Sequence, residues 1–114
     1  MKKYLVFLSF IFAVSNSNAA VEYPAELRGI WVSSPERCGE SAVYGVTIDK
    51  NTASYGMERS CKIISVKASE KKFLIKEKCS SEGGSGIDTN TYTMVDDSLI
   101  MRIGPDTIKH QRCK

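Results

Sequence analysis

The sequence predicts an all-β domain, an antiparallel barrel or sandwich of seven or eight short strands stapled by two disulfides. Three observations lead there. Runs of β-forming residues recur about every ten residues with turn formers between them. Apolar residues inside those runs alternate with a period of two. Four cysteines follow an export-type leader, where an even count reads as two disulfides. Of the 114 residues, 42% are hydrophobic and 25% charged, the balance of a folding chain rather than a disordered one.

The leader comes first. Met1-Lys2-Lys3 supplies a positive start, and Tyr4 to Val14 is an apolar run broken only by Ser9. A membrane-spanning helix needs about 20 apolar residues, so this run is too short and reads as the core of a cleavable signal peptide. Small residues in Ser17-Asn18-Ala19 place the cut after Ala19, with Ala20 as the alternative, which makes 1–19 the signal peptide and 20–114 one small domain. No cysteine near the cut would accept a lipid, so the mature product is expected in a periplasm or outside the cell, without membrane insertion. Removing Lys2 and Lys3 lowers the formal charge from +3 to +1, a poor basis for capturing nucleic acid.

The expected strands are Leu27 to Val32, Val43 to Ile48, Ala53 to Glu58, Cys61 to Ala68, Lys72 to Cys79, Thr89 to Val95, Leu99 to Ile103 and Thr107 to Cys113. Tyr44, Val46 and Ile48 alternate with Val43, Gly45 and Thr47, and Leu99, Met101 and Ile103 alternate with Ile100 and Arg102. Asp49-Lys50-Asn51, Asp96-Asp97 and Gly104-Pro105-Asp106 supply residues that accept tight turns, so consecutive strands should be neighbours. Thr89 to Ile103 is the best-defined hairpin. Residues 23–27 have room for one helical turn before the first strand. Trp31 is expected to plug one end of the core, with Tyr44, Tyr55, Phe73 and Tyr92 joining it.

Cys38, Cys61, Cys79 and Cys113 lack the close spacing of a zinc site. Sequence leaves all three pairings open. A hairpin turning at Asp49-Lys50-Asn51 would set Cys38 near Cys61, so Cys38–Cys61 with Cys79–Cys113 is preferred. The competitor, Cys61–Cys79, follows from a turn around Ser69-Glu70-Lys71.

No catalytic constellation emerges. His110, the only histidine, lacks a nucleophile-elbow partner and reads as a strand residue that packs or faces solvent. Asp96 and Asp97 read as turn formers rather than an acid/base pair. Gly83-Gly84-Ser85-Gly86 lacks the lysine and following helix of a phosphate loop. The chain is therefore expected to be no enzyme, with no metal and no cofactor. Lys62, Lys67, Lys71, Lys72, Lys76 and Lys78, tempered by Glu70 and Glu77, read as a solvated sheet face that discourages aggregation. The competing reading is a patch for an anionic partner. Two segments are the candidate recognition loops: Ser80 to Gly86, whose three glycines make it mobile or held for a purpose and for which a plain connector is the preferred reading, and Ser33 to Tyr44, mostly free of β pattern. Their candidate contact residues are Ser81, Glu82, Ser85, Ser41 and Tyr44.

A resemblance rests on the leader, Gly29-Ile30-Trp31, Cys38, Glu58-Arg59-Ser60-Cys61 with Ile63-Ile64-Ser65-Val66, Cys79 with Glu82-Gly83, and Arg112-Cys113. Together these look like a group of small exported four-cysteine proteins of Gram-negative bacteria, which implies fold and compartment but no mechanism. The Gly29-Ile30-Trp31 opening is also similar to lipocalin-like barrels, which implies an apolar ligand behind Trp31. Size, export and disulfides resemble the periplasmic inhibitors of c-type lysozyme. Those inhibitors reach the enzyme with a Ser-Gly-X-X-Tyr loop that neither Ser85-Gly86-Ile87-Asp88 nor Ser41-Ala42-Val43-Tyr44 reproduces. The leading expectation is a non-enzymatic binding module, with a peptidoglycan hydrolase or another envelope protein as partner. A lipocalin-like carrier and a structural envelope component are the alternatives.

Overall fold

The computed structural model describes residues 21–114, so the expected signal peptide lies outside the described residues. Eight strands form a closed antiparallel barrel in chain order: β1 (Gly29–Val32), β2 (Val46–Ile48), β3 (Thr52–Tyr55), β4 (Arg59–Ser69), β5 (Lys72–Ser81), β6 (Gly84–Val95), β7 (Ser98–Ile103) and β8 (Asp106–Arg112). Closure comes from β1 against β8, with Trp31 opposite Arg112 and Val32 opposite Gln111. The expected barrel is thus observed, and the sandwich alternative is set aside.

Period-two patterning drives the closure. Along β5, Phe73, Ile75, Glu77 and Cys79 are buried while Lys72, Leu74, Lys76 and Lys78 are exposed. Leu99 and Met101 of β7 and Tyr92 of β6 add to the same interior. An eight-stranded barrel is just wide enough for side chains to fill it, and here Trp31, Tyr23, Tyr92, Leu27, Ile48 and Ile75 do so. The turns fall where their chemistry placed them, at 49–51, 70–71, 96–97 and 104–105, with Glu70 and Asp96 both at φ 57°.

A 3-10 turn, Ala25–Leu27, caps the end from which β1 starts. Leu27 is fully buried and its carbonyl accepts a hydrogen bond from Trp31 Nε1 at 2.9 Å. The Arg112 guanidinium lies 4.3 Å from the Trp31 ring centroid and donates to the carbonyls of Arg28 (2.6 Å) and Glu26 (2.8 Å). Gly29 makes this approach feasible: its φ is +134°, and a Cβ there would lie 2.7 Å from Arg112 Nη1.

Several expectations are corrected. The disulfides are Cys38–Cys113 and Cys61–Cys79, not the preferred pairing. The hairpin at 49–51 does not extend far enough to bring Cys38 to Cys61. β2 begins only at Val46, and the chain turns again at 56–58, which puts Cys61 on β4 directly opposite Cys79. Tyr44 is half-exposed on the short helix Ser41–Tyr44 rather than in the core, because residues 33–45 leave the sheet through a 3-10 segment, Pro35–Glu40, and that helix. β5 and β6 extend to Ser81 and back to Gly84, through the stretch expected to be a loop, so most of it is paired strand. Two disulfides fit an oxidising compartment. Among the described residues, no helix is long and apolar enough to cross a membrane.

Candidate functional site

In an up-and-down barrel alternate connections lie at the same end. Connections 33–45, 56–58, 82–83 and 104–105 therefore share one rim, opposite the 3-10 cap. Both sequence-selected segments lie at that end. The β5–β6 hairpin remains paired to its tip, with Cys79 opposite Gly86, Ser80 opposite Ser85 and Ser81 opposite Gly84, which leaves only Glu82 and Gly83 to turn. Gly84 adopts φ +128°, a value open to glycine. Pairing of β6 with β7 begins only at Thr91, so Gly84 to Asn90 run past β7, backed by β5 and then β4. The result is a finger whose β6 edge has no β7 partner from Gly84 to Asn90, with β5, β4 and then β3 continuing the sheet behind it, Tyr55 opposite Arg59. The buried Cys61–Cys79 disulfide joins β4 to β5 two residue pairs below the tip.

The short helix Ser41–Tyr44 flanks the finger from the β1–β2 side. Gly56 N–H donates to the Gly45 carbonyl at 2.8 Å, and a Cβ on Gly56 would lie 2.7 Å from the Val43 carbonyl oxygen. Glycine at 56, with φ +63°, lets the helix rest on the β3–β4 turn. The Tyr44 ring is exposed beneath the Arg37 guanidinium, 4.2 Å from the ring centroid.

A cleft of about 800 Å³ opens at this rim, lined by Ser54, Met57, Glu58, Arg59, Ser80 and Glu82 among others. Ser81 also lines it, whereas Ser85 lines a neighbouring cleft of about 460 Å³ shared with Arg59 and Asp88. Ser41 and Tyr44 line neither cleft. The structure thus gathers Ser81, Glu82 and Ser85 on the finger and holds Ser41 and Tyr44 on the flank of the same rim.

Sequence reasoning missed the polar chain that descends from the rim into the lumen. Arg59 Nη2 donates to Asp88 Oδ2 at 2.5 Å and to Cys79 Sγ at 3.3 Å, with its guanidinium 5.2 Å from the Tyr55 ring centroid. The Tyr55 hydroxyl donates to the Tyr92 oxygen, because the Tyr92 proton is committed to Glu77, at 2.9 and 3.0 Å from its two carboxylate oxygens. Glu77 also accepts from the Tyr23 hydroxyl at 2.6 Å and from Asn90 Nδ2 at 2.8 Å. It is fully buried, and every buried side-chain polar atom among the described residues has a partner. Burial, reinforced by the Glu77 charge, pushes the Tyr23 and Tyr55 hydroxyls well above the ordinary tyrosine value. Burial does the same for Tyr92, with Tyr55 and Glu77 adding to the shift. Glu77, expected to temper the surface lysines, belongs instead to the interior. The signal was present in strict alternation, since Glu77 shares parity with Phe73, Ile75 and Cys79 while the lysines take the other face.

The sulfurs of Cys61 and Cys79 and the Glu77 carboxylate lie within 4.8 Å of one another. Both sulfurs are consumed by the disulfide, which leaves no thiolate to bind a metal. His110 is buried on β8, with Nδ1 3.0 Å from the Lys109 carbonyl oxygen. What the two clefts offer is hydrogen bonding: serine hydroxyls, the paired Arg59 and the carboxylates of Glu58 and Glu82 on a stapled platform. Comparisons with protein-family models, curated proteins and solved structures returned no match.

Proposed function

We propose that this chain is an exported, non-enzymatic binding module that acts in the periplasm or outside the cell, and that its finger enters the cleft of a peptidoglycan hydrolase and blocks it. The observation that carries the reading is the finger itself. Its tip, Ser81 to Gly84, is held by continuous pairing and by a disulfide two residue pairs below it, so inserting it costs little ordering entropy. Glycan-cleaving hydrolases commonly work with one protonated and one ionised carboxyl group. A serine hydroxyl of the finger, Ser81 on one face or Ser85 on the other, suits the ionised group as a donor, and the Glu82 carboxylate suits the protonated one as acceptor. Tyr44, exposed on the flank beside Val43, is placed as an aromatic anchor against the outside of the same cleft.

An apolar ligand held behind Trp31 finds less support. The lumen positions are occupied by Trp31, Tyr23, Tyr92 and Met101, all fully buried, around a hydrogen-bonded carboxylate.

Oxidised mature protein titrated into peptidoglycan lysis by c-type lysozyme, g-type lysozyme and a bacterial muramidase tests the proposal. Saturable inhibition of at least one enzyme is expected, with the Glu82→Ala/Ser85→Ala variant weakening it about tenfold or more, as loss of hydrogen bonds to buried charged groups would. No inhibition of any of the three at large molar excess overturns it.

A further inference from the structure

The barrel register segregates charge in a way that net charge conceals. Outward positions of β4 to β8 form cross-strand rows: Lys62, Lys78 and Ile87; Ser65, Lys76 and Thr89; Lys67, Leu74, Thr91 and Arg102; Ser69, Lys72, Thr93, Ile100 and Lys109. No carboxylate occupies any of these rows. Glu70, Glu82, Asp96, Asp97 and Asp106 sit at hairpin ends, while Glu77 and Asp88 lie on the inward face. The ion pairs among the described residues use Arg28, Arg37 and Arg59, so the lysines of this face have no ionic partner there.

Two features distinguish this surface from a solvated, aggregation-resistant one. Lysines that protect against edge-to-edge pairing belong on edge strands. Lys72, Lys76 and Lys78 instead lie on β5, paired along its length with β4 and β6. Lys62 is directly opposite Lys78, a like-charge pair that destabilises a sheet. Between the lysines, Leu74 is 43% exposed and Ile87 59% exposed.

We infer that this outer face of β4–β6 docks on an anionic lipid bilayer. Lysines meet the headgroup charges, and Leu74 and Ile87 rest against the interface. Long lysine stems beside aliphatic side chains fit such a surface better than a soluble polyanion, which would leave Leu74 and Ile87 in water. The face runs up the barrel wall into the finger as far as Ile87 opposite Lys78, and the tip, Ser81 to Gly84, lies beyond it. The inference is independent of what the rim binds.

Sedimentation with vesicles of phosphatidylcholine alone, and of phosphatidylcholine containing about one-third phosphatidylglycerol, provides the test. Binding to the anionic vesicles only is expected, and its loss at about 1 M salt, where the Debye length is about 3 Å. Lys62→Gln/Lys76→Gln/Lys78→Gln should weaken binding about 100-fold. Lys50→Gln/Lys114→Gln, off this face, should weaken it much less. The triple variant should melt no lower than the parent, because it relieves the Lys62–Lys78 repulsion, so lost binding cannot be ascribed to unfolding. Equal binding to neutral vesicles, equal effects of the two variants, or capture by a soluble sulfated glycan or single-stranded DNA without vesicle binding would each overturn the inference.

Discussion

Replacing Glu77 by leucine removes the one acceptor that three buried donors share. Tyr23 Oη, Tyr92 Oη and Asn90 Nδ2 lie 2.6 to 3.0 Å from its carboxylate oxygens. A buried donor left without an acceptor costs about 1 to 3 kcal/mol, so three give an upper range of about 3 to 9 kcal/mol. Two effects reduce this. Leucine avoids the cost of burying a carboxylate, and Asn90 offers its own carbonyl oxygen to a neighbouring hydroxyl. A net loss of about 3 to 5 kcal/mol is expected, a large share of the about 5 to 14 kcal/mol that a domain of this size has at about 0.05 to 0.15 kcal/mol per residue. Urea unfolding of the oxidised mature protein, followed by Trp31 fluorescence, reads the loss as a lowered midpoint. Glu77→Gln, which retains one acceptor oxygen, should fall between the parent and Glu77→Leu, and it keeps the experiment informative if the leucine variant does not fold. Tyr23→Phe should destabilise the parent but cost much less in the Glu77→Gln background, because the two groups are coupled. The reasoning fails if Glu77→Leu is as stable as the parent, since the network would then contribute nothing net.

Three further outcomes follow from the same geometry. Tyr23, Tyr55 and Tyr92 have folded-state pKa values above the value of 10.0 they take when unfolded. The unfolded chain therefore loses protons that the native one retains, and stability is intact below pH 10 and declines above it, by about 4 kcal/mol at pH 11 for three tyrosines. Tyrosinate absorbance from these three residues should appear only together with loss of the circular dichroism of the fold, and reversible ionisation in the folded protein would contradict this. Removing Cys38–Cys113, which spans 75 residues, should cost about 4 kcal/mol and removing Cys61–Cys79, which spans 18, about 3 kcal/mol on loop entropy; melting of the two double-serine variants in the reverse order would refute that account. Gly29→Ala combines backbone strain of about 1 to 3 kcal/mol at φ +134° with displacement of the Arg112 guanidinium, and should lower the melting temperature and shift Trp31 emission to the red; unchanged melting would show that Arg112 does not depend on that approach.

The finger, the face and the interior differ in how readable they were. The hairpins at 49–51 and 96–97 were legible because turn chemistry acts over a few residues. The segment Ser80 to Gly86 was not, since its glycines and serines have little β preference; it is a strand pair because β5 and β6 continue zipping from a well-specified start at Lys72 and Thr93. Glu77 was hidden by its composition among lysines, although its parity already assigned it to the inside. Arg59, Asp88 and Tyr55 lie on three different strands and carry no local mark.

By itself the sequence determined an all-β chain, its turns, an even set of cysteines and the two segments that share a rim, because side-chain period and turn preference are local properties of the backbone. Only the tertiary structure decided that Cys38 meets Cys113, that Arg112 covers Trp31, that Tyr23 reaches Glu77 and that four rows of the wall hold no acid where lysines gather. Those partners are set by register and by closure of β1 on β8, which join residues far apart along the chain. No local pattern encodes how far one strand slides against the next before the barrel shuts.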